Sequence, residues 1–354
     1  MLTGKLSQVS IAHLPTPLEP LPRLTAHLGG PELWIKRDDQ TGLATGGNKT
    51  RKLEFLVADA VRPKADAVRP KADAVRPEAD AVRPEAGEHG ADTLVTGGAA
   101  QSNHARQTAA AAAKFGLACR LVLRGAEPPQ SQGNLLLDRL LGADVVWAGD
   151  RPLAQVMAQV AKELQTLGHR PYVIPIGGSN PVGASGYVAA IEELLAQCAE
   201  RDLRFDHIVL ASSSGGTQAG LVVGARALEY KGRILGISID QQANALQRTL
   251  ADLATATAGH LGLAFTFAPE DLIVDDSYLG GGYGVVGDLE REAVHTMART
   301  EGVLLDPVYT GRAFGGLLDL VRQGVFEPDE RVLFWHTGGM AGLFGCGEAM
   351  WPEQ

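Results

Sequence analysis

The residues of this chain best suited to chemistry are Gly46-Gly47-Asn48-Lys49-Thr50-Arg51-Lys52. They set a lysine behind two glycines, after a strand-like run at 32–37 and an acidic turn, Asp38-Asp39. Leu53, Leu56, Val57 and Ala60 follow at i, i+3, i+4 and i+7, the spacing of an amphipathic helix. A lysine at such a junction can clamp a phosphate, form a Schiff base or serve as a surface charge. The phosphate-clamp motif G-x-x-x-x-G-K-[ST] puts its lysine directly after the second glycine, within reach of the β and γ oxygens. Gly42 and Gly47 have that separation, but Asn48 takes the lysine's place and Lys49 comes one residue late. One residue turns a side chain by about 100° at a helix start, so the near-match is not a variant of that loop.

Four further loops have the same character, glycine or small polar residues between a strand candidate and a helix. In open α/β sheets such junctions converge at the carboxyl ends of the strands, where ligands bind. Gly97-Gly98-Ala99-Ala100-Gln101-Ser102-Asn103-His104 is the first. Helix capping by Ser102 or Asn103 explains one polar residue there, not four in series. In Ser212-Ser213-Ser214-Gly215-Gly216-Thr217, free backbone amides and the Ser214 and Thr217 hydroxyls form an anion nest at a helix start near Gln218. The nest contains no lysine, which suits a monoester phosphate. Asp306-Pro307-Val308-Tyr309-Thr310-Gly311 follows a strand candidate at 303–305, and His336-Thr337-Gly338-Gly339 ends the last strand candidate. Gly280-Gly281-Gly282-Tyr283-Gly284 surrounds one tyrosine with glycine. The nine histidines form no H-E-x-x-H or H-x-H pattern, so no metal site is expected. No G-x-G-x-x-G follows a first strand, which disfavours NAD. A lysine in a glycine loop with a separate anion nest suggests pyridoxal phosphate: the nest would hold its phosphate, and Lys49 its aldehyde as a Schiff base.

These loops need rigid elements to aim them. Short apolar runs at 93–96, 119–123, 145–147, 172–175, 207–211, 234–239 and 332–335 alternate with helix-like segments such as 104–115 and 135–141. That alternation implies right-handed crossovers and a mostly parallel α/β sheet covered on both faces. At 354 residues the chain is long enough for two lobes around a cleft, because single cores stop growing near about 250–300 residues. The expected division is a large lobe of residues 1–50 plus 171–354 and a small α/β lobe of residues 51–170. Residues 58–85 are four tandem heptads, ADAVRPK twice and ADAVRPE twice. A proline in every copy, costing about 3 kcal/mol in a helix interior, excludes a coiled coil. The repeat reads as an insertion in a helix-to-strand connection. A net charge of −9 argues against nucleic-acid or anionic-membrane partners. Three scattered cysteines and no long apolar run point to a cytoplasmic protein.

The segments LPTPLEPLPRL, IKRDDQTGLATGGNKTRKLEFL, GGAAQSNHARQTAAAAAKFGL, PYVIPIGGSNPVGASGY, SSSGGTQAGL, GGYG, EGVLLDPVYTGRA and HTGGMAGLF resemble the D-cysteine desulfhydrase and 1-aminocyclopropane-1-carboxylate (ACC) deaminase family. The resemblance is collinear from about Ile11 to Phe344, and only the repeat block departs from it. It implies the tryptophan-synthase β-like fold (type II of the pyridoxal-phosphate enzymes), with two open twisted, mainly parallel sheets flanked by helices, and a homodimer. It further implies that Lys49 is the Schiff-base lysine and that Asn103 meets the cofactor's phenolic oxygen. Ser214, Gly215, Gly216 and Thr217 would bind its phosphate. Ser102, Asn103 and His104 would face the substrate, with Tyr283 and Tyr309 on the substrate side. ACC deaminases carry an acidic residue after the D-P-V-Y tyrosine and a leucine before the last Gly-Gly, where this chain has Thr310 and Thr337. Hydroxyls at the pyridine nitrogen make a shallower electron sink than a carboxylate. That favours β-elimination over opening an unactivated ring, with D-cysteine as the expected small amino-acid substrate. L-cysteate sulfo-lyases share TGLATGGNKTRKLE and GTQAGL, so sulfite release is the alternative, with His104 a candidate partner for the sulfonate. ACC deamination and non-catalytic cofactor binding rank below both.

Overall fold

The computed structural model of the protein describes residues 1–62 and 90–351. The strands are β1 (Leu18–Pro20), β2 (Glu32–Arg37), β3 (Thr93–Gly98), β4 (Ala118–Leu123), β5 (Asp144–Trp147), β6 (Pro171–Val173), β7 (His207–Ser212), β8 (Arg233–Ser238), β9 (Ile273–Asp275) and β10 (Arg331–His336). Six form one sheet in the order β1-β2-β10-β7-β8-β9, parallel except for β1. The other four form an all-parallel sheet in the order β5-β4-β3-β6. Two mainly parallel sheets flanked by helices are thus present, as the family resemblance implied.

Neighbouring residues on each strand feed opposite faces, which is why the strands read as continuous apolar runs. Ile35, Val209, Val332 and Phe334 pack under the helices Asp288–Glu301 and Thr310–Arg322. Trp34, Ile208, Leu210, Leu333 and Trp335 pack under the helix Pro181–Glu200 with Tyr187 and Ile191. The small sheet is covered likewise. Leu94, Leu121 and Leu123 meet the helices Lys49–Val61 and Asn103–Phe115, while Val95 and Val122 meet Leu153–Thr166.

Two expectations shift. Pro171–Val173 pairs in parallel with β3, so the division between the sheets falls after Val173 rather than at residue 171. No strand forms at 303–305. Val303 and Leu305 are buried in the core, but the Leu304 carbonyl faces the His336 imidazole (3.1 Å) instead of a neighbouring strand. Of the repeat block, residues 58–61 complete the helix Lys49–Val61; the copies from residue 63 onward lie outside the described residues.

Candidate active site

The lysine loop is held from both ends. Asp38, at the end of β2, is fully buried and accepts hydrogen bonds from Arg51 Nε and Nη2 (2.9 Å each), Thr16 Oγ1 (2.9 Å), Tyr187 OH (2.6 Å) and Trp335 Nε1 (2.8 Å). Burial alone would raise its pKa, but the charge of Arg51 and these donors bring it down to about 2. Its carbonyl accepts from Gly47 N at 3.0 Å, which ties the loop to the strand. Arg106, buried on the next helix, donates to the carbonyls of Ala44 and Gly46 and to Thr45 Oγ1. Gly46 has φ +70°, and a Cβ there would lie 2.0 Å from the Asp39 carbonyl, so only glycine fits. Gly338 also packs too closely for a side chain, since its Cβ would meet Gly47 Cα at 2.7 Å. The first and last glycine motifs of the chain therefore interlock.

Lys49 opens the helix Lys49–Val61, and its Nζ donates to Asn48 Oδ1 at 2.7 Å. The Asn48 Nδ2 donates to Thr217 Oγ1 at 2.9 Å, so a single amide bridges the lysine and the anion nest. Burial lowers the lysine's pKa to about 8; the Asp306 carboxylate opposes that shift and the Arg106 cation adds to it. The nest opens the helix Gly216–Ala227, with Gly215 at φ +84° as its N-cap. Ser214 Oγ lies 2.8 Å from Ser179 Oγ, which accepts from Gly216 N at 3.1 Å.

A cavity of about 550 Å³ gathers these parts. Lys49, Ser102, Asn103, His104, Ser214, Gly215, Gly216, Thr217, Tyr283, Tyr309 and Thr337 all line it. Its walls come from the carboxyl ends of β7 and β10 in one sheet and of β3 in the other, so it lies between the two sheets. Ser102 caps the helix Asn103–Phe115, accepting from Ala105 N at 3.2 Å. The hydroxyls of Tyr283 and Tyr309 are 2.8 Å apart, with the rings edge to face. Burial raises the pKa of both, so the pair stays neutral.

Three readings of the sequence change here. The nest does have a lysine close by: Lys52, buried one turn beyond Lys49, donates to the Gly177 carbonyl at 3.1 Å, and a Cβ on Gly216 would lie 2.8 Å from its Nζ. Spacing by three on a helix start was the available signal. Thr310 does not line the cavity; it is fully buried and donates to Asp306 Oδ1 through both its hydroxyl (2.7 Å) and its amide (2.9 Å). It thereby closes the turn that presents Tyr309. His104 lines the cavity, but its surroundings disfavour the charged form. Thr96 Oγ1 spends its proton on the Ile174 carbonyl and so accepts from His104 Nε2 at 2.8 Å, leaving Nδ1 without a partner among the described residues. Burial first, then the charges of Lys49 and Lys52, hold its pKa well below the usual value.

Residues 9–338 match the family described as pyridoxal-phosphate dependent enzyme. The chain is similar to the D-cysteine desulfhydrase of Salmonella choleraesuis (strain SC-B67), 43% identical over 347 residues and 96% of each chain. It is 42% identical over 348 residues, again 96% of each chain, to that of Klebsiella pneumoniae (strain 342). A solved structure of an ACC deaminase homologue superposes with a TM-score of 0.83 at 37% identity, covering 99% of this chain and 97% of that one.

Proposed function

The chain belongs to the pyridoxal-phosphate-dependent enzymes, and from that premise we propose that it converts D-cysteine to pyruvate, ammonia and hydrogen sulfide. The observation that carries this reading is a hydroxyl, Thr337, in the cavity wall next to the lysine loop, its carbonyl accepting from Asn48 N at 2.9 Å. The similarity to D-cysteine desulfhydrases over nearly the whole chain supports it.

The residues present fit the cofactor. A lysine with a lowered pKa and a helix N-terminus with a second lysine against it face one cavity, an amine for an aldehyde and a nest for a phosphate. Bound pyridoxal phosphate supplies an electron sink for negative charge at the substrate's α-carbon. Lys49 would anchor the cofactor and then take the α-proton on Nζ, for which an amine of pKa about 8 is well matched near neutrality. Ser214, Gly215, Gly216 and Thr217, with Lys52, would hold the phosphate. Ser102 would receive the substrate carboxylate, and Asn103 would meet the cofactor's phenolic oxygen while facing the bound substrate. The neutral Tyr283–Tyr309 pair can pass a proton across the substrate side without holding charge there. Thr337 would hydrogen-bond the ring nitrogen without a carboxylate's pull on its proton, which suffices when the β-substituent leaves directly.

A second reading, sulfite release from L-cysteate, has one observation in its favour. Arg124 lines the cavity, and its guanidinium has no hydrogen-bond or ion-pair partner among the described residues. It offers the sulfonate a full positive charge, the form that burial disfavours at His104.

The test is to incubate the holoenzyme separately with D-cysteine, L-cysteate and ACC and to assay sulfide, sulfite and 2-oxobutanoate. Sulfide from D-cysteine is expected. Sulfite alone would replace the first reading with the second, and 2-oxobutanoate alone would sink both.

The working form is further proposed to be a homodimer in the cytoplasm. Among the described residues no helix is long and apolar enough to cross a membrane. A monomer in sedimentation at working concentration would overturn the dimer.

A further inference from the structure

We propose that Asn134 is a positioning residue: it fixes which end of the Asn103 amide faces the cavity, and so fixes a hydrogen-bond donor there. The inference rests on reading Asn103 as the partner of the cofactor's phenolic oxygen.

The argument starts from a backbone carbonyl. Asn134 lies at the start of the short helix Gly133–Leu140 in the small lobe and is completely buried. Its Nδ2 donates to the Gln101 carbonyl at 3.0 Å and to Asn103 Oδ1, also at 3.0 Å. A peptide carbonyl can only accept, so the Asn134 amide must turn its nitrogen that way. The same nitrogen then meets Asn103, which must answer with its oxygen. What remains on Asn103 is its Nδ2, a donor, in the cavity wall. The polarity of one catalytic-site amide is thus dictated by a main-chain group two residues before it.

The surroundings make this orientation hard to reverse. The Gln101 side chain holds the helix start from both ends, accepting from Asn134 N at 2.9 Å and donating to the Gln132 carbonyl at 3.0 Å. On the other side, the Asn103 carbonyl accepts from Gln107 Nε2 at 3.2 Å, and Gln107 Oε1 accepts from Thr50 Oγ1, beside Lys49, at 2.9 Å. Asn134 Oδ1 itself has no partner among the described residues. A buried amide that leaves its oxygen unsatisfied is oriented by what its nitrogen must do. Turning it over would aim the oxygen at two acceptors.

A donor at the phenolic oxygen favours that oxygen's anionic form. Losing the donor makes the oxygen hold a proton more tightly, so the bound cofactor's visible absorbance should titrate at higher pH. The experiment compares holoenzyme carrying Asn134→Leu, which releases the Asn103 amide, with Asn134→Asp, which once ionised can only accept and reverses it. The expected result is an upward shift of about one pH unit or more in both, at least as large for Asn134→Asp. kcat for D-cysteine should fall about ten-fold or more with KM little changed. Apo-protein melting serves as the folding control, and if one variant does not fold the other carries the test. Folded variants that titrate where the wild type does would overturn the proposal. Asn103→Leu tests the underlying reading: a wild-type titration there shows that Asn103 does not meet the phenolic oxygen, and both ideas fall. A shift in Asn103→Leu with none in the Asn134 variants removes the positioning role alone.

Discussion

Lys49 is half-buried at a helix start, and desolvation there disfavours its charged form more than the Asp306 carboxylate restores it. Apo-protein should therefore take pyridoxal phosphate into a borohydride-reducible linkage at a rate that rises with pH around a midpoint near 8, where an ordinary lysine would need about 10.5. A midpoint above 10 would show that the amine is solvated, and Lys49→Ala should give no such linkage and no turnover. Lys52 is the residue most easily overlooked, because its three-residue spacing from Lys49 at a helix start is the one signal that sets it apart from Arg51. A charge-assisted hydrogen bond to a phosphate contributes about 1.5–3 kcal/mol, so Lys52→Met should weaken cofactor binding by about ten- to a hundred-fold. Equal affinity in an absorbance titration would remove Lys52 from the phosphate site. His104 and Thr310 show the converse case. Their types suit a site, and the histidine is kept neutral by burial while the threonine is turned into the Asp306 bend.

At the scale of elements, the turn after β2 is the anchor of the site. Asp38 gathers partners from residues 16, 51, 187 and 335, which belong to four separate parts of the chain. Its folded pKa of about 2 lies below the ordinary 3.8, so the fold prefers the ionised form. That contribution is complete above about pH 4 and is lost as pH falls through 2. Asp38→Asn would leave Arg51 buried with only Glu193 as its charge partner, at 2.9 Å. Breaking a buried pair in this way costs about 3–5 kcal/mol, and urea unfolding should show the loss. A change below about 1 kcal/mol would mean that the turn is held by its backbone bonds alone. Asp38-Asp39 is visible in the sequence as an acidic turn, but nothing there tells that one carboxylate is sealed among four distant donors.

At the scale of the molecule, two sheets converge on one cavity. The described residues on either side of 63–89 are already in contact, with Ala91 N donating to the carbonyl of Ala60, in the first repeat copy, at 2.9 Å. Deleting residues 65–85 leaves enough chain to join two ends that touch. Shortening a loop about four-fold changes its closure entropy by only about 1 kcal/mol. The deletion variant should keep the kcat of the full chain and melt at the same temperature or slightly higher. A lost activity in a folded deletion variant would give the repeats a working role. The division into a large and a small lobe is offered in the same spirit, with the boundary moved past Val173 because β6 pairs with β3.

By itself the sequence determined what is local and periodic. Strand–helix alternation announced mostly parallel sheet covered by helices, glycine-rich junctions marked the loops at the strand ends, and Lys49 with a separate anion nest pointed to pyridoxal phosphate. These signals are legible because backbone geometry demands particular residues at particular positions, as with glycine at residue 46. Tertiary structure alone decided the direction and charge of each side chain. Lys52 reached the nest, His104 was sealed where its charge is disfavoured, Thr310 turned away, and Asn134 met Asn103 from another helix. A side chain's protonation and orientation depend on the groups that surround it after folding, and those groups come from parts of the chain that sequence order keeps far apart.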